Sequence, residues 1–164
     1  MAASQNKTTI TAEPGVPQIL ITREFAASPA LLLRAHTEPD LLVQWLGPRN
    51  QTMVIDHFEP RNGGTWRYVH READGMEYGF RGVFHGTPSL DGIVQTFEFE
   101  GAPGNVALET LTFEAQGDRT VLHANSVYQT VEARDALIEY GMEVGVNEGY
   151  ERLDELIAGM ESVG

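Results

Sequence analysis

Three observations predict an α+β fold in which a curved antiparallel sheet of seven strands wraps around one long C-terminal helix. Six alternating segments between Thr52 and Gln129 are separated by turn signals, an apolar strand segment begins at Pro17, and an amphipathic stretch closes the chain. Two short helical segments stand between the first strand and the other six, so the order is β, α, α, six β, long α. Residues 1–16, ending in Pro14-Gly15, read as a flexible tail, and residues 17–162 as a single domain.

The first strand is PQILITREF (17–25), rich in β-branched and apolar residues. Ser28-Pro29 then supplies an N-cap and a proline at the first helical position before ALLLRAH; Pro39 opens DLLVQWL, which Gly47-Pro48 stops. The six further strands are TMVIDHFE, TWRYVHRE, MEYGFRGVFHG, IVQTFEFE, NVALETLTFEA and RTVLHANSVYQ. Asn62-Gly63-Gly64, Asp74-Gly75, Asp91-Gly92, Ala102-Pro103-Gly104 and Gln116-Gly117-Asp118 divide them. Gly79, Gly82 and Gly86 mark expected bulges or bends that would curl the sheet. The last segment, Val131 to Met160, carries Met142, Val146, Gly149, Leu153, Leu156 and Met160 at helical spacing, with Thr130 as N-cap and Glu132 in the first turn. Gly141, Gly145 and Gly149 recur on one stripe of it, each costing about 1 kcal/mol relative to alanine. Either another backbone approaches there, or the stripe leaves space for a ligand.

Composition excludes several functions. With 24 acidic against 11 basic residues in 164, the net charge of −13 disfavours nucleic acid and anionic membrane surfaces. The only lysine is Lys7, in the tail, which argues against a buried Schiff-base lysine, and the absence of cysteine removes thiol nucleophiles and disulfides. MAASQNKTT has no apolar signal run and no stretch is long enough to span a bilayer, so a cytoplasmic protein without membrane insertion is expected. No HExxH, GxxxxGK[ST] or helix-opening GxGxxG occurs, so neither metal nor nucleotide cofactor is expected. An exposed strand edge offers a route to a homodimer.

Strand parity suggests what lines the space under the sheet. Trp66, Tyr68 and His70 share one face of their strand, as do Tyr78, Phe80 and Phe84 of the next and Phe97 and Phe99 of the one after. The same residues would build either a solid core or the wall of a ligand cavity. Candidate ligand-binding residues are Trp45, Trp66, Tyr68, His70, Phe80, Phe84, Phe97, Phe99, His123, Met142, Val146 and Tyr150. His57, His70, Glu109 and His123 are the acid or base groups on strands, none of them in a catalytic motif, and no catalytic residue is assigned.

Arg23-Glu24-Phe25, Ala27-Ser28-Pro29, Thr37-Glu38-Pro39, Trp45-Leu46-Gly47-Pro48, Arg61 through Trp66, Phe80-Arg81-Gly82, Glu109 through Phe113, and Gly141-Met142 through Leu153 together resemble the SRPBCC or START-like superfamily. Within it they look like the branch named after the activator of Hsp90 ATPase, which also holds polyketide cyclase-like and antibiotic-sequestering proteins. The resemblance spans about residues 17–160 and implies a helix-grip fold with a hydrophobic pocket between sheet and final helix. It implies a hydrophobic or aromatic small molecule as the bound partner, with a cyclase or hydro-lyase activity, or a chaperone as protein partner, as alternatives. Val146 and Gly149 stand where relatives often carry tryptophan and serine, which implies a roomier pocket near mid-helix. The chain shows no counterpart of the extra N-terminal domain of eukaryotic Hsp90 activators, which argues against a full co-chaperone role.

Overall fold

The computed structural model describes residues 8–163, with side chains through Met160. Its elements are β1 (Thr8–Thr11), β2 (Gln18–Phe25), α1 (Pro29–Thr37), α2 (Pro39–Leu42), β3 (Gln51–Phe58), β4 (Thr65–Glu72), β5 (Glu77–Val83), β6 (Ile93–Phe99), β7 (Val106–Gln116), β8 (Arg119–Val127), α3 (Val131–Glu139) and α4 (Met142–Val163). One antiparallel sheet of eight strands runs β1-β2-β8-β7-β6-β5-β4-β3. The seven expected strands are present, and the eighth corrects the expectation: Thr8–Thr11, inside the presumed tail, pairs with Leu20–Arg23 at the sheet edge. Residues 1–7 of that tail lie outside the described residues.

Local chemistry explains the element ends. The Ser28 hydroxyl accepts from the Leu31 amide at 3.2 Å, and the Thr130 hydroxyl from the Ala133 amide at 3.0 Å, so both expected N-caps form. The second short helix is a single turn, Pro39–Leu42, because its chain leaves helical pairing into turns that carry Trp45 and Leu46. The long final helix is divided. Gly141, at φ 86°, interrupts it after Glu139, and α4 starts afresh at Met142. At Gly82 of β5 a Cβ would overlap both the Thr96 carbonyl and the Trp66 ring. The backbone therefore comes so close that Thr96 Oγ1, rather than a ladder carbonyl, accepts from the Val83 amide at 2.9 Å.

Helix α4 lies against β2, β8 and the loop after α2. Its buried residues are Gly149, Tyr150, Leu153 and Ile157, with Met142, Val146 and Leu156 half-buried, so the apolar face is rotated from the expected stripe to include Tyr150 and Ile157. Three contacts hold it. A Cβ on Gly149 would lie 3.3 Å from both the Trp45 carbonyl oxygen and the Gly47 nitrogen, so helix backbone and loop backbone touch. Arg152 donates to the carbonyls of Gln44, Gly47 and Pro48 at 3.1–3.4 Å. Arg23 of β2 forks onto Asp154 at 2.9 and 2.7 Å, with both side chains buried.

Removing one member of that buried pair strands the other charge in the core. Asp154→Ala is expected to lower unfolding free energy by about 3–5 kcal/mol in urea titration. Gly149→Leu, which pushes helix from loop, is expected to destabilise by at least about 2 kcal/mol; wild-type stability of either variant would contradict this account of how α4 is held.

Candidate functional site

The inward rows of neighbouring strands follow from register. Trp66 pairs with Gly82, Tyr68 with Phe80, His70 with Tyr78, and Phe80 with Phe99. Across this surface the rings form one wall: Trp66 stacks on Tyr68 at 5.0 Å between centroids, Tyr68 meets Phe80 at 5.6 Å, and Phe80 meets Phe97 at 5.4 Å and Phe99 at 5.2 Å.

Buried apolar residues fall into two groups. One joins β2, β8, α1 and α4 around Phe25, Leu32, Leu122 and Leu153; the other is Trp66, Tyr68, Phe84 and Ile93 on β4 to β6. Between them lie Leu46, Met53, Ile55, Phe58, Leu111 and Phe113, which touch both groups and are only half-buried, as are Phe80 and Phe97. Helix α4 contributes Tyr150, Leu153 and Ile157 to the first group, and the half-buried belt lies between that group and the second.

The expected ligand-binding residues separate accordingly. Trp66, Tyr68, Phe80, Phe97 and Phe99 come together on the aromatic wall, with His70 at its end. Trp45 and Phe84 are 2% exposed and belong to the packed core; the Trp45 indole donates to the Ala35 carbonyl at 3.0 Å. Tyr150 is wedged edge-on against Phe25 at 5.3 Å, while Met142 and Val146 border the first core group. His123 is a correction. Its neighbour Leu122 points inward, so His123 faces the opposite side of the sheet, where its Nε2 lies 2.8 Å from Glu114. His57 pairs with Asp56 on the exposed edge strand β3.

The same parity carries polar groups inward that the expected set omits. Gln95, Glu109 and Ser126 are register neighbours on β6, β7 and β8. Gln95 Nε2 donates to one Glu109 oxygen at 2.9 Å and Ser126 Oγ to the other at 3.4 Å. Burial pushes the Glu109 carboxyl above the usual carboxylate range, against the two donors that favour its charge. Burial, and secondly the Glu109 charge, push up the hydroxyls of Tyr68 on β4, Tyr128 after β8 and Tyr150 on α4. The Glu109 charge is thus felt by ionisable groups on β4, on α4 and after β8. A signal existed in sequence, since Glu109 shares parity with Ala107, Leu111 and Phe113 in β7.

Two buried polar atoms lack partners among the described residues: Trp66 Nε1 and His70 Nδ1. The His70 ring packs on Gly47, and its pKa is lowered to about 4, by burial first and by Arg152 second. His36, beneath Trp45, is lowered to about 4 by burial, partly offset by the Leu32 carbonyl 2.7 Å from Nδ1. Both rings stay neutral in the fold and bind protons once unfolded, so the unfolded state gains protons as pH drops below 6.5. Stability is expected to fall by roughly 2 kcal/mol per histidine between pH 7 and pH 5. Urea titrations at the two values, with His70→Gln reducing the difference, check this.

Among the described residues no helix is long and apolar enough to cross a membrane, and no three His, Asp or Glu side chains converge as a metal site. The model of the family "Activator of Hsp90 ATPase homolog 1-like protein" matches residues 26–158, from the approach to α1 into the last turns of α4. A crystal structure of a protein from Rhodobacter sphaeroides is similar at 30% identity and TM-score 0.84, covering 93% of this chain and 99% of that one. A protein from Arthrobacter aurescens is similar in fold at 23% identity and TM-score 0.84, covering 92% and 91% of the two chains. CalU16 from Micromonospora echinospora shares the fold at 16% identity and TM-score 0.60, covering 96% and 88%. Among curated proteins there is no match. By a family match that spans most of its length and takes in α1, α2, the strands β3 to β8 and nearly all of α4, the chain belongs to the activator of Hsp90 ATPase homolog 1-like family.

Proposed function

We propose that the protein binds a hydrophobic or aromatic small molecule between the aromatic wall of β4–β6 and the inner face of β7, and so shields it from water. The observation that supports this reading is the belt of half-buried apolar side chains between the two core groups. Unlike Phe25 and Leu32, at 0% exposed, these side chains keep apolar surface that a ligand could cover. Covering about 200 Å² of apolar ligand surface yields on the order of 5 kcal/mol, and the half-buried side chains lose their own water contact at the same time. Membership of the family is consistent with such a role, and a chain without cysteine fits a reducing compartment such as the cytoplasm.

A second reading, an enzyme of the cyclase or hydro-lyase type, draws on the Glu109 carboxyl. Held above the ordinary carboxylate range, it can act as general acid or base on a bound carbonyl compound.

The test is a two-dimensional NMR titration of labelled protein with lipids, aromatic polyketides, flavonoids and hydrophobic antibiotics. Saturable shifts are expected around Trp66, Phe80, Phe97 and Leu111. Leu111→Trp, which fills the belt, is expected to weaken binding at least about tenfold, or ~1.4 kcal/mol. Unchanged affinity in a folded Leu111→Trp protein would put the ligand elsewhere. Product formation from a bound polyketide that disappears in Glu109→Gln while binding remains would favour the enzyme.

A further inference from the structure

We propose that Glu109, an inward-facing carboxyl with no ion-pair partner among the described residues, makes this pocket selective for apolar aromatic ligands that carry a protonated amine. The inference rests on the binding reading above and names its ligand class.

Glu109 lies in an inward row that is otherwise apolar, between Ala107 and Leu111. Its neighbours across the sheet are the uncharged Gln95 and Ser126. The charged groups that could neutralise it are used elsewhere. Arg23, the inward-facing cation of β2, is forked onto Asp154, and Arg152 of α4 is spent on the carbonyls of Gln44, Gly47 and Pro48. Arg34, Arg49, Arg61, Arg67, Arg71, Arg81, Arg119 and Arg134 each pair with another carboxylate. Among the described residues, then, no arginine or histidine forms an ion pair with Glu109.

An unpaired carboxyl in an apolar setting is costly, and the cost falls when a cation enters. A carboxylate offers about four lone-pair sites, and Gln95 and Ser126 occupy two, one on each oxygen. An ammonium group has donors for the remainder. The aromatic wall of β4–β6, where Tyr68 stacks on Trp66 and meets Phe80, presents π faces on the same inner side of the sheet. Such faces attract cations, most strongly out of water. The net charge of −13 raises the local concentration of cationic ligands, whereas it would repel fatty acids and other anions. A ligand that is only apolar gains the same area burial but leaves the carboxyl unpaired.

The test compares naphthylethylamine with naphthylethanol, its uncharged analogue, by isothermal titration calorimetry against the full chain at pH 7. The amine is expected to bind roughly tenfold tighter, and Glu109→Gln to bring it down to the level of the alcohol. Carbon-13 NMR of the glutamate carboxyls in the unmodified protein supplies a readout that needs no variant. The amine is expected to move the Glu109 resonance toward its ionised position, and the alcohol is not. Equal or tighter binding of the alcohol, or an amine preference that survives in Glu109→Gln, overturns the selectivity while leaving the pocket in place. Binding of neither probe, with the family of apolar compounds above also silent, overturns the binding reading and this inference together.

Discussion

Where α4 meets the loop after α2, main chain lies on main chain. Gly149 has no side chain, so its backbone comes within van der Waals distance of Trp45 and Gly47, and the Arg152 guanidinium closes the contact by reaching the carbonyls of Gln44, Gly47 and Pro48. This contact sets the position of α4 over the sheet, and the buried Arg23–Asp154 fork sets its rotation. A bulkier residue at the crossing would lift the helix away and misalign a charge pair that tolerates little displacement. The glycine's cost in helix propensity is offset by the approach that it permits.

The placement has a consequence for the rest of the sheet. Helix α4 is committed to the first apolar group by its anchors. The apolar interior therefore divides into two groups with a half-buried belt between them. On the second side the residues are aromatic, which keeps the wall rigid, because neighbouring rings at 5.0–5.6 Å between centroids support one another. Rigidity on one side and incomplete cover between are the conditions for a preformed binding surface.

Polar groups inside are sorted by whether they are paired. Arg23 and Asp154 satisfy each other, and Arg134 is fixed by the carbonyls of Glu13 and Val16 and by Asp135, which ties α3 to the chain between β1 and β2. Glu109 has hydrogen bonds but no counter-charge, while His70 and Trp66 each keep a buried nitrogen without a partner. These groups lie on β4 and β7, and His70 sits against Gly47 and near Arg152, beside the crossing that anchors α4.

Much of this architecture is local chemistry and could be read from the chain. Alternation and glycine turns mark the seven longer strands, and Ser28 and Thr130 mark helix starts, because caps and turns depend on a few neighbouring residues. Strand β1 escapes such reading: Thr8–Thr11 is a short, half-exposed edge whose formation depends on the hydrogen bonds that β2 offers. The break at Gly141 escapes it too, since the apolar period runs on through the break while the backbone turns to a positive φ. Parity already held the information that His123 and Leu122 face opposite ways and that Glu109 falls on the apolar side of its strand. What parity could not supply is that Gln95, Glu109 and Ser126 meet, because that depends on the register of three strands. Sequence by itself thus determined the seven longer strands, the helix starts at Ser28 and Thr130, and the family. Tertiary structure alone decided which inward residues are sealed by α4 and which remain open, because that depends on where a helix with a glycine at its crossing point can come to rest.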